Sequence, residues 1–342
     1  MKRISSLVLI FCACLVSVAW SQQPVPRGRN WRQFHRHDME RWNPFENLLN
    51  VHNVGRLGLK WSYATGGYVW SSPAVANGVV HVGSNDGNVY ALSANTGAKL
   101  WSYTTGSGVY SSPAVANGMV YVGSLDTNVY ALNASTGALL WSSTTGDLVY
   151  SSPAVANGVV YVGAEHYPGA DVYARDASTG AQLWSYSTGG HVDSSPAVAN
   201  GVVYVGPDDD NVYALNARTG VLLWSYATGN FVDSSPAVAD GVVYVGSHDD
   251  NVYALNAKTG ALLWSYATLG GVSSSPAVAN GVVYVGSDDD NVYALNARTG
   301  VLLWSYATGN AVESSPAVAN GMVYVGSDDD NVYAFGLKRG SK

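Results

Sequence analysis

From Leu57 onward, short runs of β-branched and aromatic residues alternate with clusters of Asn, Asp, Gly, Ser and Thr, and one order returns about every 40 residues. Tryptophans mark the period at Trp61, Trp101, Trp141, Trp184, Trp224, Trp264 and Trp304, spaced 40, 40, 43, 40, 40 and 40. A typical copy reads LLWSYATGNFVDSSPAVADGVVYVGSHDDNVYALNAKTG. Its Asn-Gly or Asp-Gly pair between two apolar runs is a two-residue hairpin signal, which makes the flanking strands antiparallel. Four strands of about five or six residues and four short turns fill the period. They are designated A (SSPAVA), B (VVYVGS), C (NVYALN) and D (LLWSYAT). The three extra residues of the third copy fall in its B–C turn, Glu165 to Asp171.

The two ends of the repeat region suggest how it closes. An unaccompanied D strand, Leu57 to Ala64, precedes the first A strand, and no D strand follows the last C strand, Asn331 to Phe335. Six whole units and one split unit make seven. An open solenoid needs polar caps, whereas a ring joins its first and last strands in one sheet and hides both edges. The expectation is an all-β, seven-bladed β-propeller of four-stranded antiparallel blades, closed by pairing of the N-terminal strand with the C-terminal blade. The division along the chain is then 1–21, 22–54 and a single propeller over 55–342.

Composition adds a destination. Lys2 and Arg3, an apolar run from Leu7 to Val18, and Ala19-Trp20-Ser21 read as a secretory signal peptide, and hence export to the periplasm or the extracellular space. The apolar run is too short to span a bilayer, and no second stretch is long enough. Phe11 stands where a lipid-attachment signal at Cys14 wants an aliphatic residue. Both cysteines, Cys12 and Cys14, lie in the removed segment, so the mature chain has neither thiol nor disulfide. Only 12% of residues are charged, against roughly 25% in ordinary domains. Loss of Lys2 and Arg3 moves the formal charge from −7 to −9.

Six copies carry Ala-x-(Asn/Asp/Ser)-x-x-Thr-Gly-x-x-x-Trp: Ala91 to Trp101, Ala131 to Trp141, Ala174 to Trp184, Ala214 to Trp224, Ala254 to Trp264 and Ala294 to Trp304. This resembles the tryptophan-docking motif of the pyrroloquinoline quinone (PQQ) repeat family, and the lead-in from Asn30-Trp31 through Asn53-Val54-Gly55 to Trp61 resembles the segment before the first blade of those quinoproteins. Most copies have Asn where the motif prefers Asp; Asp176 alone matches, and the rest are expected to weaken one turn hydrogen bond. The seven tryptophans are assigned to docking between blades, each burying about 200 Å², worth up to about 5 kcal/mol. The resemblance implies the propeller fold. For function it implies either a PQQ dehydrogenase or a propeller with no cofactor, such as the outer-membrane assembly lipoproteins.

Charges and unrepeated residues indicate where a partner binds. In an up-and-down blade the D–A and B–C turns share one face, and those turns hold 19 of the 24 acids with no Lys or Arg among them. The opposite face carries Arg218, Lys258 and Arg298, with Lys99 close by. An acidic face draws cations or basic partners and repels nucleic acid. The null alternative is that acidic hairpin tips only keep a repetitive β-protein soluble. Just before each Ser-Ser-Pro the residue changes around the ring: Trp70, Tyr110, Tyr150, Asp193, Asp233, Ser273 and Glu313. These seven are expected to line the mouth of the central channel, where half aromatic and half acidic edges suit a sugar, a quaternary ammonium or a cationic peptide. Tyr68, His191 and Phe231 are expected to form an outer rim. The Asp runs lack calcium-loop spacing, and His35-x-His37 is a lone pair, so no metal site is assigned.

Residues 22 to 54 combine Arg27, Arg29, Arg32, Arg36 and Arg41 with Trp31, Phe34, Trp42 and Phe45, the composition of a basic, aromatic strap. No Ser-His-Asp arrangement, zinc spacing or phosphate loop is visible, and no catalytic residue is assigned. The quinoproteins that the chain resembles have eight blades, a vicinal disulfide in many cases, and long loops around PQQ and calcium, all of which depart from this sequence. The expectation is therefore a monomeric, noncatalytic exported propeller with no cofactor, binding a protein, basic peptide or glycan at its acidic face. A PQQ- and calcium-dependent dehydrogenase and an envelope assembly scaffold stand as the alternatives.

Overall fold

A computed structural model describes residues 59–165, 171–319, 322–329 and 331–336. The expected signal peptide at 1–21, the extension at 22–54, the first residues of the N-terminal D strand and the tip of the Glu165–Asp171 insertion lie outside them. The described chain forms seven antiparallel sheets, six of four strands and one of three, each in simple A-B-C-D order. This is the seven-bladed propeller that the period implies. Among the described residues no helix is long and apolar enough to cross a membrane.

Blade 1 shows how the repeat folds. Strands A (Ala74–Ala76), B (Val79–Gly83), C (Asn88–Ser93) and D (Lys99–Thr104) run outward from the centre. Asn77 and Gly78 both take positive φ, 51° and 79°, the two-residue turn whose twist matches the strands it joins. Strand A has three residues instead of the expected five or six. Proline lacks an N–H, and the preceding serines act through their side chains instead. Ser71 Oγ accepts the Gly83 N–H at 3.0 Å, and Ser112 Oγ of blade 2 accepts the Ser72 N–H at 2.9 Å. The second bond recurs from blade to blade as far as Ser275 to Ser315, so the serines form a latch around the channel.

Six of the seven tryptophans fasten a D strand to the next blade. Trp101 Nε1 donates to Ala134 O at 3.0 Å, and the same bond runs from Trp61 to Ala94, Trp141 to Ala177, Trp184 to Ala217, Trp224 to Ala257 and Trp264 to Ala297. The Thr-Gly glycine lies under the indole: a Cβ on Gly137, at φ +73°, would meet the Trp101 ring at 2.7 Å. Only glycine combines that conformation with that approach. Asn in place of Asp keeps the turn, since Asn133 Oδ1 accepts the N–H groups of both Ser135 and Thr136 at 3.0 Å. Asp176 adds only the hydroxyls of Ser178 and Thr179.

Five of the six seams between successive blades are sealed by this bond, Trp304 at the sixth being 37% exposed, and a second contact is common to all six. In each, a valine before the A strand is seated against a strand-B glycine of the previous blade, as Val109 is on Gly83, and Val109, Val149, Val192, Val232, Val272 and Val312 are buried. The seventh seam differs. The expected pairing of Leu57–Ala64 with strand C of blade 7 (Asn331–Gly336) is not made among the described residues, where Leu59–Ala64 carry no strand and that sheet has three. Val69 is 47% exposed and Val332 80%, although their counterparts in the other blades are buried. Every other D strand continues from its own C strand through a short turn. This one would have to meet a C strand from the far end of the chain, and its indole is already bound to blade 1.

Candidate functional site

The B–C and D–A turns are built against each other. The middle acid of the B–C turn in blade 1, Asp86, accepts the Gly66 N–H at 2.6 Å, the Asn88 N–H at 2.9 Å and the Tyr90 hydroxyl at 2.7 Å. Asp126, Asp209, Asp249, Asp289 and Asp329 do the same for their own blades. Burial alone raises the Asp86 carboxyl, but the bonds from Tyr90, Gly66 and Asn88 outweigh it and hold it below the ordinary range. These six acids act as structural buckles. They also hold each B–C turn against the D–A turn that precedes its blade.

At the mouth, the seven unrepeated residues divide into two arcs. Along the first, Tyr68 stacks on Trp70 with centroids 5.8 Å apart and planes 7° apart. Trp70 stacks on Tyr110 at 4.4 Å, and Tyr110 meets Tyr150 at 5.5 Å. The three aromatic rim residues thus converge, with Tyr68 extending the ladder outward. Trp70 remains 62% exposed and Tyr68 72%.

The second arc begins where the first ends. The Tyr150 hydroxyl is pushed up by burial and by the nearby charges of Glu165 and Asp193. Asp193 faces the channel yet is crowded by protein, and burial, then Glu165 and Asp233, push its carboxyl up to about 6. Asp208 is raised further above the carboxylate range, first by burial and then by the neighbouring Asp233 carboxyl. One buried oxygen of Asp208, and likewise one of Asp288, has no hydrogen-bond partner. Beyond Asp233, His248 Nε2 lies 2.8 Å from Asp233 Oδ2 and 3.1 Å from Ser273 Oγ. The arc ends at Glu313, raised by burial and by Asp328 and Asp288.

Sequence reading missed the second layer of this site. The first residue of each B–C turn, Asn85, Leu125, Glu165, Asp208, His248, Asp288 and Asp328 in blade order, donates its N–H to the carbonyl two residues before the rim position of the preceding D–A turn, as His248 does to Phe231 O at 2.9 Å. That bond sets each side chain beside the rim. The signal was present as a second position that varies from copy to copy, but no spacing along the chain reveals that it faces the channel. Ser273, His248 and Asp233 also form a Ser-His-Asp contact that the sequence did not disclose. Serine and aspartate meet the same ring nitrogen, so the imidazole cannot pass a proton from one to the other, and Ser273 is not activated as a nucleophile.

Blades 1 and 3 depart from the repeat inside the sealed seams. His81 replaces the strand-B tyrosine, is fully buried 5.5 Å from the Trp101 ring, and has its pKa lowered to about 4 by burial. Arg175 replaces a strand-C leucine and is buried, its guanidinium 5.1 Å from the centre of the Tyr173 ring. It donates to Ser143 Oγ and Thr144 O, and Ser143 stands where other D strands have tyrosine.

No curated protein matches the chain. Among solved structures, BamB from Moraxella catarrhalis aligns with a TM-score of 0.69 at 23% identity, covering 81% of this chain and 88% of that one. The quinohemoprotein alcohol dehydrogenase ADHIIG from Pseudomonas putida HK5 aligns at 0.67 and 20% identity, covering 87% and 75%. The corresponding enzyme from Comamonas testosteroni aligns at 0.59 and 17%, covering 87% and 76%. At these identities the likeness is one of fold. The family described as outer membrane protein assembly factor BamB matches residues 28–187, 168–272 and 267–342, and to that PQQ-repeat family this chain belongs.

Proposed function

We propose that this protein is an exported, noncatalytic propeller that binds a partner at its acidic, aromatic-edged mouth and holds it as a scaffold. The observation that carries the reading is the meeting of a stacked aromatic arc, Tyr68 to Tyr150, with a carboxylate arc, Asp193 to Glu313, around one opening. Aromatic faces offer apolar area and attract cations, while the carboxylates steer a positive partner from a distance. Membership of a family named for an outer membrane assembly factor favours the same reading, as does the export signal in the sequence.

The dehydrogenase alternative meets a chemical obstacle. PQQ is itself a tricarboxylate, and among the described residues no Lys or Arg stands in the D–A or B–C turns to receive it. The mouth offers it carboxylates, and its aromatic rings already stack on one another. The residues present therefore do not fit the quinone.

A hexalysine peptide tests the reading. Binding is expected at low ionic strength, with loss at about 0.5 M salt and loss in the triple variant Asp193→Asn, Asp233→Asn, Glu313→Gln. An unchanged affinity in the triple variant would reject the mouth as the site. PQQ absorbance that stays with the chain through gel filtration after incubation with PQQ and calcium would reject the noncatalytic reading.

A further inference from the structure

We propose that the mouth selects arginine over lysine, and that its partner is a protein presenting arginine side chains on an extended segment. The inference rests on the reading of the mouth as a binding site and adds what that site chooses. Its starting point is the ladder. Three aromatic rings stack in sequence and a fourth, Tyr150, meets the last at a tilt of 43°, yet the outer two remain largely exposed. An exposed aromatic surface beside carboxylates marks an interaction site, and whatever covers it must be flat enough to lie on a ring and positive enough to meet the acids.

A guanidinium meets both conditions. It is planar, stacks on tyrosine and tryptophan faces, forks onto a carboxylate through paired N–H donors, and sheds water more readily than an ammonium. An ammonium supplies charge alone. The two requirements meet at Tyr150, whose ring continues the ladder from Tyr110 and whose hydroxyl sits beside Glu165 and Asp193. Asp208 and Asp233 continue the acceptors along the same direction, so an extended chain crossing the mouth passes first aromatic faces and then carboxylates. The fold already contains one such contact, since Arg175 lies over the Tyr173 ring inside a seam. A neutral sugar would use the ladder but leave the acid arc without a counter-charge.

Calorimetric titration of the intact chain with hexa-arginine, hexalysine and a neutral hexasaccharide decides the matter. Hexa-arginine is expected to bind about tenfold more tightly than hexalysine at equal salt. In the variant Trp70→Leu, Tyr150→Leu the two peptides are expected to bind equally, with the circular dichroism of the chain unchanged. Equal affinities in the native chain, or a preference that survives loss of the ladder, would overturn the arginine assignment and leave a site that reads charge alone. Binding of neither peptide, or of the saccharide only, would overturn this assignment together with the reading beneath it.

Discussion

The six seams that join blades 1 to 7 and the seventh, between blade 7 and blade 1, are written in the same residues but built differently. In the six, each D strand belongs to its own blade through a turn, and in five of them to the next blade through its indole. In the seventh the indole bond from Trp61 to Ala94 is present, while among the described residues the backbone pairing with strand C of blade 7 is not. The indole bond thus fixes one blade against the next in the seventh seam as it does in five of the others. It does not supply the edge-to-edge pairing that covalent continuity provides elsewhere.

The largest effect that separates the two regions lies in the tryptophans themselves. Trp184→Ala, inside a sealed seam, is expected to cost about 4 kcal/mol in urea unfolding, and Trp61→Ala about half as much, because its strand lacks a sheet partner. Equal losses would mean that the seventh seam is sealed in solution like the rest.

The next effect sharpens the comparison within the sealed set. His81 is neutral in the folded state, with a pKa of about 4 against 6.5 for a free histidine. Its contribution is complete above pH 6.5 and falls away as pH drops toward 4, a loss of about 3 kcal/mol. Replacement by tyrosine, which blades 2 to 7 carry at this place, should remove that loss and add a hydroxyl bond to Ala134 O, as Tyr121 makes to Ala177 O. Urea midpoints at pH 7 and pH 4 check this; a variant as acid-sensitive as the native chain would place the cause elsewhere.

A smaller effect concerns the seam between blades 2 and 3. Arg175→Leu and Ser143→Tyr are each expected to destabilise alone and to restore the common seam together, with a coupling energy of about 1 to 2 kcal/mol in a double-mutant cycle. Simple additivity would show that the two positions vary independently.

Much of the fold is legible along the chain because a repeat states its period outright. The tryptophans mark the blades, Asn-Gly and Asp-Gly mark the A–B turns, and the Thr-Gly glycines are spaced to lie beneath the indoles. The rim was legible in part. Trp70, Tyr110 and Tyr150 stood out because they vary at a fixed phase, and variation at a fixed phase implies a shared location. Which acids are free was hidden. Asp209 and Asp208 are neighbours, yet one is tied down by Tyr213 and the Gly189 N–H while the other keeps a buried oxygen with no hydrogen-bond partner.

Sequence alone determined the blade and its number, since strand periodicity and turn chemistry are local and repeat seven times. Tertiary structure decided three things: whether the ring joins end to end, how Tyr68, Trp70, Tyr110 and Tyr150 stack, and that His248 enters the acid arc. Each depends on backbone bonds between residues far apart in the chain, and no local preference encodes where such bonds place a side chain.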